Sequence, residues 1–170
     1  QTYYDVLGEV QGGAWHPEHD ARPWIRFCLR AHYLQARTVL RRRSEIEALW
    51  LGSIDLAERN GLPERTAAGL MDAAYGLRIR RQTYRASVES VTGETITDLT
   101  ASRDLKSMVD AGLVLAVGEK RGRYYVASEE VRQLSLSIRD SRPPKGTEDP
   151  FDLVRQGRQL SLDSAAESRS

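Results

Sequence analysis

Between Ile96 and Ala127 the chain reads ITDLTASRDLKSMVDAGLVLAVGEKRGRYYVA, and no other stretch restricts the possible folds as tightly. Thr97 is suited to cap a helix, because its hydroxyl can accept from a backbone N–H that has no acceptor within the first turn; Ile96 stands just outside. From Asp98 onward, steps of about 100° put Ala101, Leu105, Met108, Val109 and Gly112 on one face. Thr100, Arg103, Lys106 and Ser107 fall on the other. Gly112 can end the helix in the left-handed conformation, and Leu113 opens LVLAV, a run with strand chemistry. The polar turn Glu119–Gly122 interrupts it, and Arg123–Ala127 (RYYVA) is strand-like again, so the two runs close as a hairpin with Lys120, Arg121 and Arg123 at its tip. A recognition helix followed by a two-stranded wing is the second half of a winged helix-turn-helix.

An exposed helix face is polar in most proteins and a hairpin tip is commonly charged, so neither feature alone identifies a partner. Their adjacency is more informative. Cations beside a helix that presents hydroxyls can neutralise phosphates while the helix offers hydrogen bonds to base edges. The spacing therefore nominates a DNA-binding surface of Thr97, Thr100, Ser102, Arg103, Lys106 and Ser107 on the helix, with Lys120, Arg121 and Arg123 on the wing. Arg103, Thr100 and Lys106 are expected at the major groove, and Arg121 and Arg123 on phosphate or in the minor groove. Arg80, Arg81 and Lys120 are expected as further backbone contacts.

The preceding residues supply the rest of the motif. After Pro63, Ala67, Leu70, Met71, Ala74 and Leu77 mark a small helix. Residues 78–82 are expected as a short strand pairing with the wing, residues 83–90 as a helix using Tyr84 and Val88, and residues 91–95 as a turn. Residues 62–130 are thus assigned to one winged-helix domain.

The first 61 residues have a different pattern. Thr2–Val10 is helical by periodicity but shows no evident cap, which suggests a domain extending upstream of Gln1; residues 15–21 read as a loop, and Asp20 as the cap of a helix with Pro23 in its first turn. Trp24, Phe27, Cys28, Ala31, Leu34 and Thr38 form one stripe, and the pattern continues, or restarts near Ser44, until Asn60-Gly61 and Pro63. At about 1.5 Å per residue this helix would span roughly 55 Å, long enough to connect two parts. His32 reads as a half-buried packing residue, and Arg41 to Arg43 as a solvated face. Residues 131–170, rich in Ser, Pro, Gly and charge especially beyond Arg139, read as a flexible polar tail, with Phe151, Leu153, Val154 and Leu160 as a short docking segment.

The net charge of +1 carries no global electrostatic argument, so the local clusters matter more than the total. The single cysteine, Cys28, has no internal disulfide partner and reads as a buried thiol in a reducing compartment, which points to the cytoplasm. No apolar run reaches the roughly 20 residues needed to cross a bilayer. The chain has no GxxxxGK[ST], GxSxG or HExxH, so phosphate cradles, hydrolase elbows and zincin sites lack support. His16, Glu18, His19 and Asp20 lie close together, but a short loop of this kind is more commonly just polar. No metal or other cofactor is expected.

Two blocks carry a family resemblance. YYDVLGEVQ, GGAW and RPWIRFCLRAHYLQA resemble the helices that follow the active-site loop in Fic family proteins. GLRIRRQTYRASVES, TASRDLKSMVDAGLV and GEKRGRYYVAS resemble the winged helix at the C-terminus of many Fic proteins. The resemblance implies a mainly α fold, in which a helical segment of a Fic-like domain is joined by a long helix to an α+β winged helix-turn-helix domain. It implies a parent protein that transfers AMP from ATP to a hydroxyl of a target. The family loop HPFx(D/E)GN(G/K)R is absent; His16-Pro17 shares its first two letters only, and no catalytic residue is carried over. The implied function is that of a regulatory DNA-binding module, with double-stranded DNA, an upstream Fic domain or a second copy as partner. The alternative is a protein-interaction or dimerisation module that positions the AMP-transferase domain or its target.

Overall fold

The computed structural model describes residues 2–13, 18–143, 149–152 and 154–155, apart from the side chain of Arg121. The element order is α1 (Tyr3–Gln11), α2 (Arg22–Arg59), α3 (Thr66–Ala74), α4 (Arg81–Thr92), α5 (Asp98–Asp110), β1 (Val114–Val117), β2 (Tyr124–Ala127) and α6 (Glu129–Asp140). The fold is mainly helical with a small antiparallel sheet. Backbone contacts divide the chain into two compact units, Gln1–Arg41 with Pro143–Ser170, and Arg42–Arg142.

In the first unit α1 starts at a formed cap, contrary to the sequence expectation: Thr2 Oγ1 accepts from the Asp5 N–H, and the Asp5 carboxylate accepts from the Thr2 N–H at 2.8 Å. The pattern escapes a search for S/T-x-x-E/Q because Asp takes the place of Glu. Asp20 accepts from the Arg22 N–H at 3.0 Å, as its capping chemistry requires. The apolar contacts are aromatic: Trp24 stands edge-on to Tyr3 and stacks on Phe27. Val6 is buried, whereas Ile25, Leu29, Val39 and Leu40 are exposed. Cys28 is half-buried and His32 exposed, both wetter than expected; among the described residues this end of α2 is contacted by Tyr3 of α1 and by Phe151. Of the proposed docking segment, Leu153 and Leu160 lie outside the described residues, and Val154 is exposed.

α2 is one 38-residue helix with no break at Ser44. Its second half enters the core of the Arg42–Arg142 unit through Leu49, Leu56 and Ala57. Around these pack Leu70 from α3, Tyr84 and Val88 from α4, Leu105 and Met108 from α5, and Val114 from β1. Gly69 permits α3 and α4 to approach closely: a Cβ there would lie 2.9 Å from the Tyr84 ring. α3 is shorter than its apolar pattern, leaving Leu77 beyond its end and exposed. The strand expected over residues 78–82 contracts to one bridge, Ile79 with Tyr125, closed by N–H···O bonds of 2.8 and 2.9 Å. Helical structure begins at Arg81, which moves this arginine from a strand to the first turn of α4.

The wing closes as the expected hairpin, with Val114 opposite Ala127 and Val117 opposite Tyr124. Gly112 has φ 72° and closes α5 as anticipated. Beyond it the chain departs from the tail reading. Residues 129–140 form α6, which buries Val131 and packs Leu134 and Ile138 on the core. Three apolar side chains at helical spacing suffice to dock a segment whose overall composition is polar. The tail residues 144–148, 153 and 156–170 lie outside the described residues.

Candidate nucleic-acid interface

A buried carboxylate fixes α5. Asp104 projects from the inner face of α5 and accepts from Arg65 Nε at 2.8 Å and Nη2 at 2.9 Å, and from the Tyr84 hydroxyl at 2.9 Å. Arg65 immediately precedes α3 and Tyr84 lies on α4, so one acid joins all three helices of the motif. A fork-to-fork arginine pair with a third donor satisfies a charge that is otherwise expensive to bury. Burial, followed by the Asp104 charge and hydrogen bond, pushes the Tyr84 phenol well above its ordinary value of 10.0. The bond to Asp104 likewise raises the Arg65 guanidinium.

A second link sets the start of α5. Arg85 Nε donates to the Ile96 carbonyl at 2.8 Å, and Nη1 donates to Asp98 at 2.7 Å. Arg81 reaches the other Asp98 oxygen at 3.4 Å. Thr97 caps the helix, its hydroxyl accepting from the Thr100 N–H at 3.1 Å. The two hydroxyls, Thr97 and Thr100, lie 3.0 Å apart and share a hydrogen bond.

These links shape an open groove between the start of α4, α5 and the wing. Arg80, Arg81 and Arg85 line it from α4 and the residue before it, Asp98, Ser102 and Leu105 from α5, and Lys120, Arg123 and Tyr125 from the wing. Lys120 begins a single 3-10 turn, Lys120–Gly122, at the tip and holds φ 46°, a left-handed conformation that is uncommon for a lysine. Arg80, Lys120 and Arg123 have no ion pair with any described residue. Asp98 is the groove's acid, and Arg85 and Arg81 already counter its charge.

The nominated residues therefore separate. Arg80, Arg81, Ser102, Lys120 and Arg123 meet at the groove. Arg103, Lys106 and Ser107 lie exposed further round α5, outside its lining. Lys106 is held by Asp110 at 2.8 Å, which raises its ammonium pKa. Thr97 and Thr100 spend their hydroxyls on capping, and Ser102 donates to the Asp98 carbonyl at 2.8 Å. The Arg121 side chain lies outside the described residues. Sequence reasoning missed Arg85, Asp98 and Asp104, whose partners lie on other elements. It also missed Leu99, which is exposed on the outer side of α5. Among the described residues no group of three His, Cys, Asp or Glu is arranged to hold a metal. No helix among them is long and apolar enough to cross a membrane.

No protein-family model matches the chain, and no curated protein matches it. Among solved structures it aligns with a crystal structure of NadR in complex with 4-hydroxyphenylacetate, at 16% identity and a TM-score of 0.39 over 90% of this chain and 95% of that one. The resemblance to Fic proteins is corrected accordingly, since the chain meets neither a Fic family model nor a Fic structure in these comparisons. The quoted motifs have a local explanation. In TASRDL, Thr97 was nominated just ahead of the block as the cap, Ala101 and Leu105 are core, and Asp104 ties three helices together; YYD contains the acid of the Thr2 cap and Tyr3 of an aromatic cluster. Capping and core roles within this fold account for the quoted motifs.

Proposed function

We propose that the Arg42–Arg142 unit is a duplex-DNA-binding module of regulatory type. One observation carries this reading: five cations from two separate stretches, Arg80, Arg81 and Arg85 on one side and Lys120 and Arg123 on the other, line a single groove beside α5. A polyanion with closely spaced charges fits such a groove better than a small neutral ligand. The exposed polar side chains further round α5, Arg103, Lys106 and Ser107, are the residues proposed for base edges, with Leu99 available to a thymine methyl, and Thr100 contributes through the hydroxyl bond that it shares with Thr97 at the cap. Thr97 and Ser102 serve this reading through helix geometry, and Arg121 through its position in the wing tip.

The test is a gel-shift or anisotropy titration comparing the full chain with Arg81→Glu and Arg123→Glu. Each charge reversal should weaken binding to every duplex by at least tenfold. Unchanged affinity in both variants would overturn the reading.

A second reading, self-association, is favoured by Ile25, Leu29, Val39 and Leu40, which lie exposed along α2 in the first unit. Light scattering across a concentration series tests it. A monomer at all concentrations would remove it.

A further inference from the structure

α2 and α6 meet at two points within the Arg42–Arg142 unit. At one, Gly52 allows the Leu134 side chain to lie so close that a Cβ on residue 52 would stand 2.6 Å from it. At the other, Arg142 donates two parallel hydrogen bonds to Glu45, Nε at 2.7 Å and Nη2 at 2.9 Å. At the second point the two helices, with Ala74 and Tyr75 at the end of α3, leave a groove of about 370 Å³, within the size range of small-molecule sites. Its floor is apolar, formed by Ile46, Leu49, Tyr75, Leu136 and Ile138. Ile46 and Tyr75 are about half exposed there, which is costly for side chains that could have been covered. Its rim carries Arg42 and Arg139 on opposite helices, with the acid Glu45 already neutralised by Arg142, so the net charge of the rim is positive. Neither Arg42 nor Arg139 has an ion pair with a described residue, in contrast to Arg142.

We propose that this groove binds a small amphipathic carboxylate, an organic monoacid whose aromatic or aliphatic body rests on the floor while its carboxylate lies between Arg42 and Arg139. Charge complementarity selects this occupant. A neutral apolar body would leave both guanidiniums uncompensated, and a cation would be repelled. The carboxylate accepts from a guanidinium fork on either side, the geometry for which arginine is best suited. The site does not depend on the DNA-binding reading, because it shares no residue with the cationic groove.

The probes are 4-phenylbutyrate and its neutral counterpart 4-phenylbutanamide, titrated into the full isotope-labelled chain and followed by amide and methyl NMR. The acid should shift Ile46, Leu136 and Ile138 and bind about two- to fivefold tighter than the amide, the gain expected from a partly exposed ion pair. Arg42→Gln combined with Arg139→Gln should remove that difference while leaving the unligated spectrum otherwise intact. Equal affinity for acid and amide would overturn the proposal, as would shifts centred elsewhere or no shifts at millimolar probe. Light scattering on the same samples provides a further check: if the acid acts by dissociating a dimer, the groove is a protein interface and the proposal fails.

Discussion

The guanidinium of Arg65 and the carboxylate of Asp104, 39 positions apart in sequence, form a two-pronged pair with hydrogen bonds of 2.8 and 2.9 Å. The acid is nearly enclosed while the arginine keeps one side in water. The orientation of α5 relative to α3 and α4 therefore depends on a buried charge. Removing the acid strands three donor groups, two on Arg65 and the Tyr84 hydroxyl, whereas removing the arginine strands a charge. Asp104→Ala should cost about 2–4 kcal/mol, and Arg65→Met a comparable amount. Urea denaturation of both variants and of the double variant checks this. A double-variant loss equal to the sum of the single losses would show that the pair is not coupled.

Tyr84 donates to the same carboxylate, and burial raises its pKa in the folded state. The stabilisation linked to its proton is therefore fully present below the unfolded value of about 10 and is lost as pH rises above it, because the unfolded chain ionises first. Wild type and Tyr84→Phe should differ by a constant amount of about 1 kcal/mol from pH 7 to 9. Above pH 10 the wild type should lose stability faster, narrowing the gap. Parallel curves up to pH 11 would contradict the assignment.

Gly69 faces the Tyr84 ring, and a methyl group added there would intrude to 2.9 Å. Helix propensity alone would make Gly69→Ala stabilising by up to about 1 kcal/mol. Overpacking a core contact costs about 1–3 kcal/mol, so the net change should be destabilising. A raised melting temperature would show that α3 and α4 can separate at little cost.

Lys120 holds a left-handed backbone conformation at the wing tip. Lys120→Gly relieves about 1 kcal/mol of strain in the fold but makes the unfolded chain freer by a similar amount, so stability should scarcely change. Duplex affinity should fall, and the salt dependence of binding should decrease by about one phosphate contact. Loss of stability without loss of affinity would confine Lys120 to a structural role.

Asp98 is an acid within a cationic groove, already countered by Arg85 and Arg81. Asp98→Asn should tighten non-specific duplex binding several-fold at low salt, with the effect fading as salt screens the groove. Weaker binding in this variant would assign Asp98 to positioning the two arginines.

α5 and the wing are legible in the sequence because their determinants are local: a capping hydroxyl at Thr97, apolar residues at helical spacing, a left-handed Gly112 and two strand runs around a polar turn. The arrangement that makes them a site was less so. Arg85 reaches Asp98 across 13 positions and Arg65 reaches Asp104 across 39, and nothing in the spacing of either pair signals the meeting. Arg103 was favoured for lying on the polar side of α5, whereas the groove runs past Ser102, one residue and about 100° away. α6 was hidden because only Val131, Leu134 and Ile138 dock it, a pattern outweighed by the surrounding charge and serine. The Fic resemblance shows the same limit from the other side, since caps and core positions shared by unrelated helices can pass for a family signature.

The central claim is that the groove lined by Arg80, Arg81, Lys120 and Arg123 follows the phosphate backbone of a duplex. Its most direct measurement is fluorescence anisotropy of the full chain with a labelled duplex from low to physiological salt. Four phosphate contacts predict that the logarithm of the association constant falls with the logarithm of salt concentration at a slope of about −3 to −4. Joint replacement of Lys120 and Arg123 by glutamine should bring the slope to about −2. No binding at low salt, or binding whose slope is unaffected by the wing substitutions, would contradict it.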